Sequence, residues 1–86
     1  MRVIEEITHP ACKITIFQWN GKYIVKFETA NFEQSFKISE QDVMGVADVK
    51  KMLNNDFITR VYQRFLDMNK DVKEEFERIN LKSTNE

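Results

Sequence analysis

From Cys12 to Phe27 the chain alternates apolar and polar residues around Asn20-Gly21, two residues that tolerate the positive φ of a tight hairpin turn. With Asn20 and Gly21 as the loop, Trp19 falls opposite Lys22, Phe17 opposite Ile24, Ile16 opposite Val25 and Ile14 opposite Phe27. Successive side chains point to opposite faces, so Ile14, Ile16, Tyr23, Val25 and Phe27 share an inner, core face. The outer face carries Lys13, Thr15, Phe17, Trp19, Lys22, Ile24, Lys26 and Glu28. In this register Lys13 faces Glu28, which predicts a cross-strand charge pair.

A second turn at Ala30-Asn31 places Phe27 opposite Gln34 and Val25 opposite Phe36, and brings Phe32, Phe36 and Ile38 to the same inner face. On the outer face this strand adds Glu33, Ser35 and Lys37. Two turns agreeing on one face predict an antiparallel meander. Upstream, Arg2–Thr8 is expected as an edge strand, with Glu5-Glu6 suited to an exposed edge and His9-Pro10-Ala11 as the break before the hairpin.

From Ser39 the period lengthens to that of a helix, with Ser39 as N-cap and acidic Glu40 and Asp42 in the first turn. Val46, Leu53, Phe57, Val61, Phe65, Met68, Val72, Phe76 and Ile79 form a stripe at spacings of three, four and seven. Asn54-Asn55-Asp56 and Asn69-Lys70-Asp71 are candidate breaks, and Gly45 is expected to weaken the first turns by about 1 kcal/mol. The predicted fold is α+β: a four-stranded antiparallel meander of order 1-2-3-4, followed by C-terminal amphipathic helices packed on one sheet face. Residues 1–86 form a single domain, with the meander in 1–39, the helical region in 40–80 and a polar, frayed tail in 81–86.

Length and composition narrow the class. Eighty-six residues hold one core, because a chain of this size buries only about 60–65% of its unfolded surface. With two glycines, one proline and 42% hydrophobic residues, the chain is globular rather than disordered. A net charge of −1 gives no global attraction to nucleic acid or membrane. One cysteine excludes an intramolecular disulfide. No N-terminal apolar leader and no apolar run of spanning length is present, so a cytoplasmic protein is expected.

Catalytic and metal chemistry find little to work with. His9 and Cys12 are the chain's sole histidine and cysteine, fewer than the four ligands of a structural metal site, and a cysteine opening a hairpin strand is ordinary packing. Glu5 and Glu6 point to opposite faces and make no acid/base pair. The helical carboxylates are interleaved with Lys and Arg, as on a solvated face. Two glycines far apart build no phosphate loop. No cofactor, no metal and no catalytic residue is expected.

The anomaly is the outer sheet face, where Phe17, Trp19 and Ile24 sit among lysines. One reading makes these three an apolar anchor for protein, with the lysines as a polar rim. The alternative is a weak single-stranded nucleic-acid binder, stacking bases on Phe17 and Trp19 and neutralising phosphates with Lys13, Lys22, Lys26 and Lys37. Asn20–Phe27 resembles the longer RNA-recognition-motif signature at Gly21, Val25 and Phe27. The likeness covers eight residues: the stacking positions hold Lys22 and Ile24, and the βαββαβ order is absent. A plainer possibility is that lysine stems, the first strand or the tail cover this face.

The helical stripe poses a second question, of length. Val46–Ile79 unbroken would reach about 51 Å, against about 26 Å for an eight-residue strand. The helix must either fold back at one of its polar triplets or find another chain for Phe65, Met68, Val72, Phe76 and Ile79. The expected function is therefore a small non-catalytic protein-interaction module, self-associating as a homodimer or binding another protein through the outer sheet face, the C-terminal helix or both.

Overall fold

A computed structural model describes residues 1–84, with side chains described through Asn80. Strands β1 (Arg2–His9), β2 (Cys12–Trp19), β3 (Lys22–Glu28) and β4 (Glu33–Ser39) form one antiparallel sheet in the order β1-β2-β3-β4. A 3-10 turn at Glu40–Asp42 leads to α1 (Val46–Lys51) and then α2 (Asn55–Thr84). The α+β meander with C-terminal helices is the architecture expected from the sequence.

The hairpin register holds at every position, from Lys13 opposite Glu28 to Trp19 opposite Lys22. It is set by the turn: Asn20 (φ 53°) and Gly21 (φ 75°) both adopt the left-handed backbone of a type I′ loop. The second turn also holds, with Phe27 opposite Gln34 and Val25 opposite Phe36. Thr29 closes it, its amide donating to the Phe32 carbonyl at 2.8 Å. In the β1–β2 turn, the Ala11 amide donates to His9 Nδ1 at 3.0 Å, so the lone histidine is spent on shaping a loop. β1 carries a bulge between Val3 and Glu5. The bulge re-phases the strand, so that Ile4 packs towards the core although its neighbour Glu5 pairs with inward-facing Ile16.

The core sits between the inner sheet face and the helices. Ile14, Ile16, Tyr23, Val25 and Phe27 meet Val49 of α1 and Ile58, Val61 and Phe65 of α2. Phe27, Phe36 and Phe57 close it as a ring cluster with centroids 5.2–5.8 Å apart, in edge-on and tilted contacts that aromatic quadrupoles favour. Two polar links fix the helices. Lys50 of α1 reaches Glu5 of β1 at 3.0 Å, and Gln34 Nε2 of β4 donates to the Val61 carbonyl of α2 at 2.9 Å. α1 therefore sits towards β1, and α2 runs back past β4 towards the end of the sheet that carries the Ala30-Asn31 turn.

Five local expectations change. Lys13 pairs with Glu6 of β1 at 3.6 Å, and Glu28 pairs with Lys26, because each flexible side chain has a nearer opposite charge than its direct cross-strand partner. Ser39 caps only the 3-10 turn, accepting from the Gln41 amide at 3.3 Å. Gly45 does not weaken a helix interior; it precedes α1 as N-cap with φ 125°, a conformation that suits glycine. Of the two candidate breaks only the first is used: Asn54 Oδ1 caps α2 by accepting from the Phe57 amide at 2.9 Å. At Asn69-Lys70-Asp71 the helix runs on unbroken. It continues through Leu81 to Thr84, where the tail was expected, and residues 85–86 of that tail lie outside the described residues.

Candidate interaction surfaces

The outer sheet face is covered by its own side chains, since α1 and α2 both pack against the inner face. Phe17 and Ile24 are direct cross-strand partners, flanked by Val3 on one side and Lys37 on the other. Lys26 Nζ lies 5.3 Å from the centroid of the Phe17 ring, a cation–π contact that occupies one face of the ring. Ile24 is buried, at 8% exposure, and Thr15 beside it in the sheet is buried too. Of the three expected anchors, only Trp19 presents a large open surface, at 50% exposure; Phe17 is half-buried. Lys26 and the cross-strand neighbours thus cover Ile24 and part of Phe17 without any added element, while Val3 and Trp19 stay about half exposed. Of the four lysines, Lys13 and Lys26 already pair with carboxylates, and Lys22 and Lys37 stand exposed on β3 and β4.

The second surface lies on α2. Thirty residues of helix measure about 45 Å, against about 26 Å of strand, so close to 20 Å of helix projects beyond the sheet. The projection gives the molecule extents of 58 × 27 × 20 Å and a radius of gyration of 16.8 Å, where a compact chain of this length would have about 12 Å. The apolar stripe ignores the boundary. Phe65 is buried at 4% exposure and Met68 is half-buried against the same core, so these two expected partner contacts belong to the protein's own interior. Val72, Phe76 and Ile79 continue the stripe past the end of the sheet and are exposed by 37%, 60% and 49%.

Where the helix leaves the sheet it forms a corner with the β3–β4 turn, a groove of about 530 Å³ lined by Asn31, Phe32, Asn69, Val72, Lys73 and Phe76. A shallower groove continues back along the helix to Tyr62 and Leu66, both exposed by more than 40%. Sequence reasoning missed Tyr62 and Leu66 as surface groups. Tyr62 and Leu66 fall between the stripe positions, where a single apolar residue on a helix carries no periodic signal. Phe32 packs against the core, as its inner-face position predicts, and its remaining open edge at the sheet's end also lines the groove.

His9 and Cys12 face each other across the β1–β2 turn. Partial burial raises the Cys12 thiol above its ordinary range, the opposite of what an activated nucleophile requires. Among the described residues no group of three or more His, Cys, Asp or Glu side chains is placed to hold a metal ion, and no helix is long and apolar enough to cross a membrane. No protein-family model, no curated protein and no solved structure matches this chain.

Proposed function

We propose that this protein is a small non-catalytic interaction module that self-associates through the projecting half of α2. The observation carrying this reading is the run of Val72, Phe76 and Ile79, three large apolar side chains exposed on one helix face with no sheet beneath them. A helix of this length gains most of its stability from packing an amphipathic face, and here the part of that face beyond the sheet stays largely open among the described residues. A second copy brings an identical apolar surface, and a closed twofold contact satisfies both at once.

The outer sheet face supports association less strongly, because Ile24 is buried and Phe17 is half covered by Lys26. The same cover weighs against the nucleic-acid reading, since a base stacking on Phe17 would have to displace that lysine. Light scattering after size exclusion at tens of micromolar tests the proposal. The expected mass is twice 10.3 kDa, returning to the monomer value in Phe76→Glu. A wild-type mass of 10.3 kDa that does not rise with concentration would remove self-association from consideration. Binding of labelled single-stranded RNA at low salt, lost in Trp19→Ala, would transfer the function to the other face.

A further inference from the structure

We infer that two copies pair antiparallel over residues 69–84 of α2, each projecting helix filling the place beside the other that the sheet vacates. The inference rests on self-association through α2 and specifies its geometry. Three features of the chain lead to it.

The first is layer thickness. Over residues 55–68 the inner face of α2 rests on the sheet, and beyond the β3–β4 turn the sheet stops while the helix continues. Helices pack on one another at 8–10 Å, close to the roughly 10 Å that separates packed layers in a domain. A second helix laid under the projection therefore continues the sheet's layer without a step. Only an antiparallel copy can do so over the full projection: a parallel one would drive its own sheet into the space already held by the first.

The second feature is the position of the dyad. Asn69 marks the corner with Asn31 and Phe32, and α2 runs to Thr84. An axis between Phe76 and Glu77 lays residues 69–84 of one copy along the same residues of the other. The two Phe76 rings then meet at the centre. Ile79 of the second copy comes level with position 74, between Val72 and Phe76, so the apolar side chains interleave rather than collide. The end of the second helix arrives at the groove of about 530 Å³ beside Asn31 and Phe32.

Charge supplies the third, independently. Glu75 and Arg78 lie along one flank of the stripe and already form an i,i+3 ion pair at 2.7 Å within each chain. In antiparallel pairs the same flank of each helix meets. Glu75 faces Arg78 of the second copy when their numbers sum to 153, and that sum again puts the axis between Phe76 and Glu77. The charge pattern thus sets one register, and the described projection fits within it.

Spin labels at position 63, on the exposed side of the sheet-bound half of α2, test the geometry by pulsed dipolar spectroscopy. The carrier is full-length Cys12→Ala/Gln63→Cys. In the inferred register the two labelled sites lie 27 residues apart along the axis, about 40 Å at 1.5 Å per residue. Outward-facing labels on helices about 8–10 Å apart add roughly 25 Å laterally, so a distance of about 45–50 Å that disappears in Phe76→Glu is the expected result. A dimer with labels closer than about 30 Å would be parallel and would overturn the inference while leaving self-association intact. A dimer that survives Phe76→Glu would place the contact elsewhere and overturn it too. A monomer at all concentrations would remove both proposals together. Charge reversal sharpens the register: Glu75→Arg should weaken the dimer about fivefold, and Glu75→Arg/Arg78→Glu should restore it. Failure of the double variant to recover would reject this register.

Discussion

The two halves of α2 repeat one apolar spacing in two settings. In the first, Ile58, Val61 and Phe65 are buried on the sheet; in the second, Val72, Phe76 and Ile79 stand exposed beyond it. Helical periodicity reports a face, and the length of the neighbouring element decides whether that face becomes core or surface. The two halves therefore respond differently to the same substitution, and this contrast can be broken experimentally.

The largest effect is expected from Phe65→Ala, which opens a cavity under the seated half and should cost about 3–5 kcal/mol at any protein concentration. The matching change in the projecting half, Phe76→Ala, should leave the monomer within about 0.5 kcal/mol of wild type. Its effect should appear only as a weaker dimer. Urea denaturation at two protein concentrations checks the pair, and equal losses for the two variants would falsify the division of α2 into a seated and a projecting half.

Next in size is Gly21→Val, expected to cost more than about 1 kcal/mol because a β-branched residue is strained at φ 75°. Space is not the obstacle, as the nearest atom to an added Cβ is Glu40 Oε2 at 3.9 Å. An unchanged denaturation midpoint would separate register from turn conformation.

A third test sets the asparagine that caps α2 against one inside it. Asn54→Ala removes the cap on the Phe57 amide and should cost about 1 kcal/mol. Asn69→Ala replaces a weak helix former inside the helix and should be neutral or stabilising by a few tenths of a kcal/mol. Thermal melts of both variants give the signs, and a loss at position 69 as large as at 54 would point to a polar role for Asn69 in the groove.

The smallest effect concerns Cys12. Its folded thiol titrates above the ordinary range because burial disfavours the thiolate. The stabilising contribution is full below the unfolded thiol's pKa and is lost as pH rises through the folded value. Denaturation midpoints should fall over that alkaline window by slightly more in wild type than in Cys12→Ala. Parallel pH profiles would show that Cys12 contributes nothing to the dependence.

The sheet was legible because each of its determinants is local: Asn20-Gly21 fixes one register, Ala30-Asn31 the next, and strict alternation makes a slip of one residue costly. The helical region was less so, since its outcome turned on competition. Asn54 follows Met52 and Leu53, where α1 has already ended, and so becomes a cap. Asn69-Lys70-Asp71 interrupts a helix already formed, where the propensity loss of a few tenths of a kcal/mol per residue is smaller than the cost of nucleating a new one. Ion pairing was hidden for a similar reason. Lys13 could reach either Glu28 or Glu6, and the choice depended on β1 lying alongside. On the candidate surfaces, Trp19 was readable as a large apolar residue on a polar face, and Val72, Phe76 and Ile79 as the part of the stripe that outruns the sheet. The burial of Ile24 under its neighbours and the groove at Phe32 required coordinates.

Every strand in this sheet pairs with its neighbour in sequence, through turns at Pro10-Ala11, Asn20-Gly21 and residues 29–32. A chain built this way closes short loops first and defers its long-range contacts, chiefly the docking of α2 through Gln34 and Val61, to the end. Refolding should therefore complete on the order of milliseconds. Substitutions in the Asn20-Gly21 hairpin should slow folding, whereas Gln34→Ala should mainly hasten unfolding, a division that stopped-flow chevrons of the two variants would display.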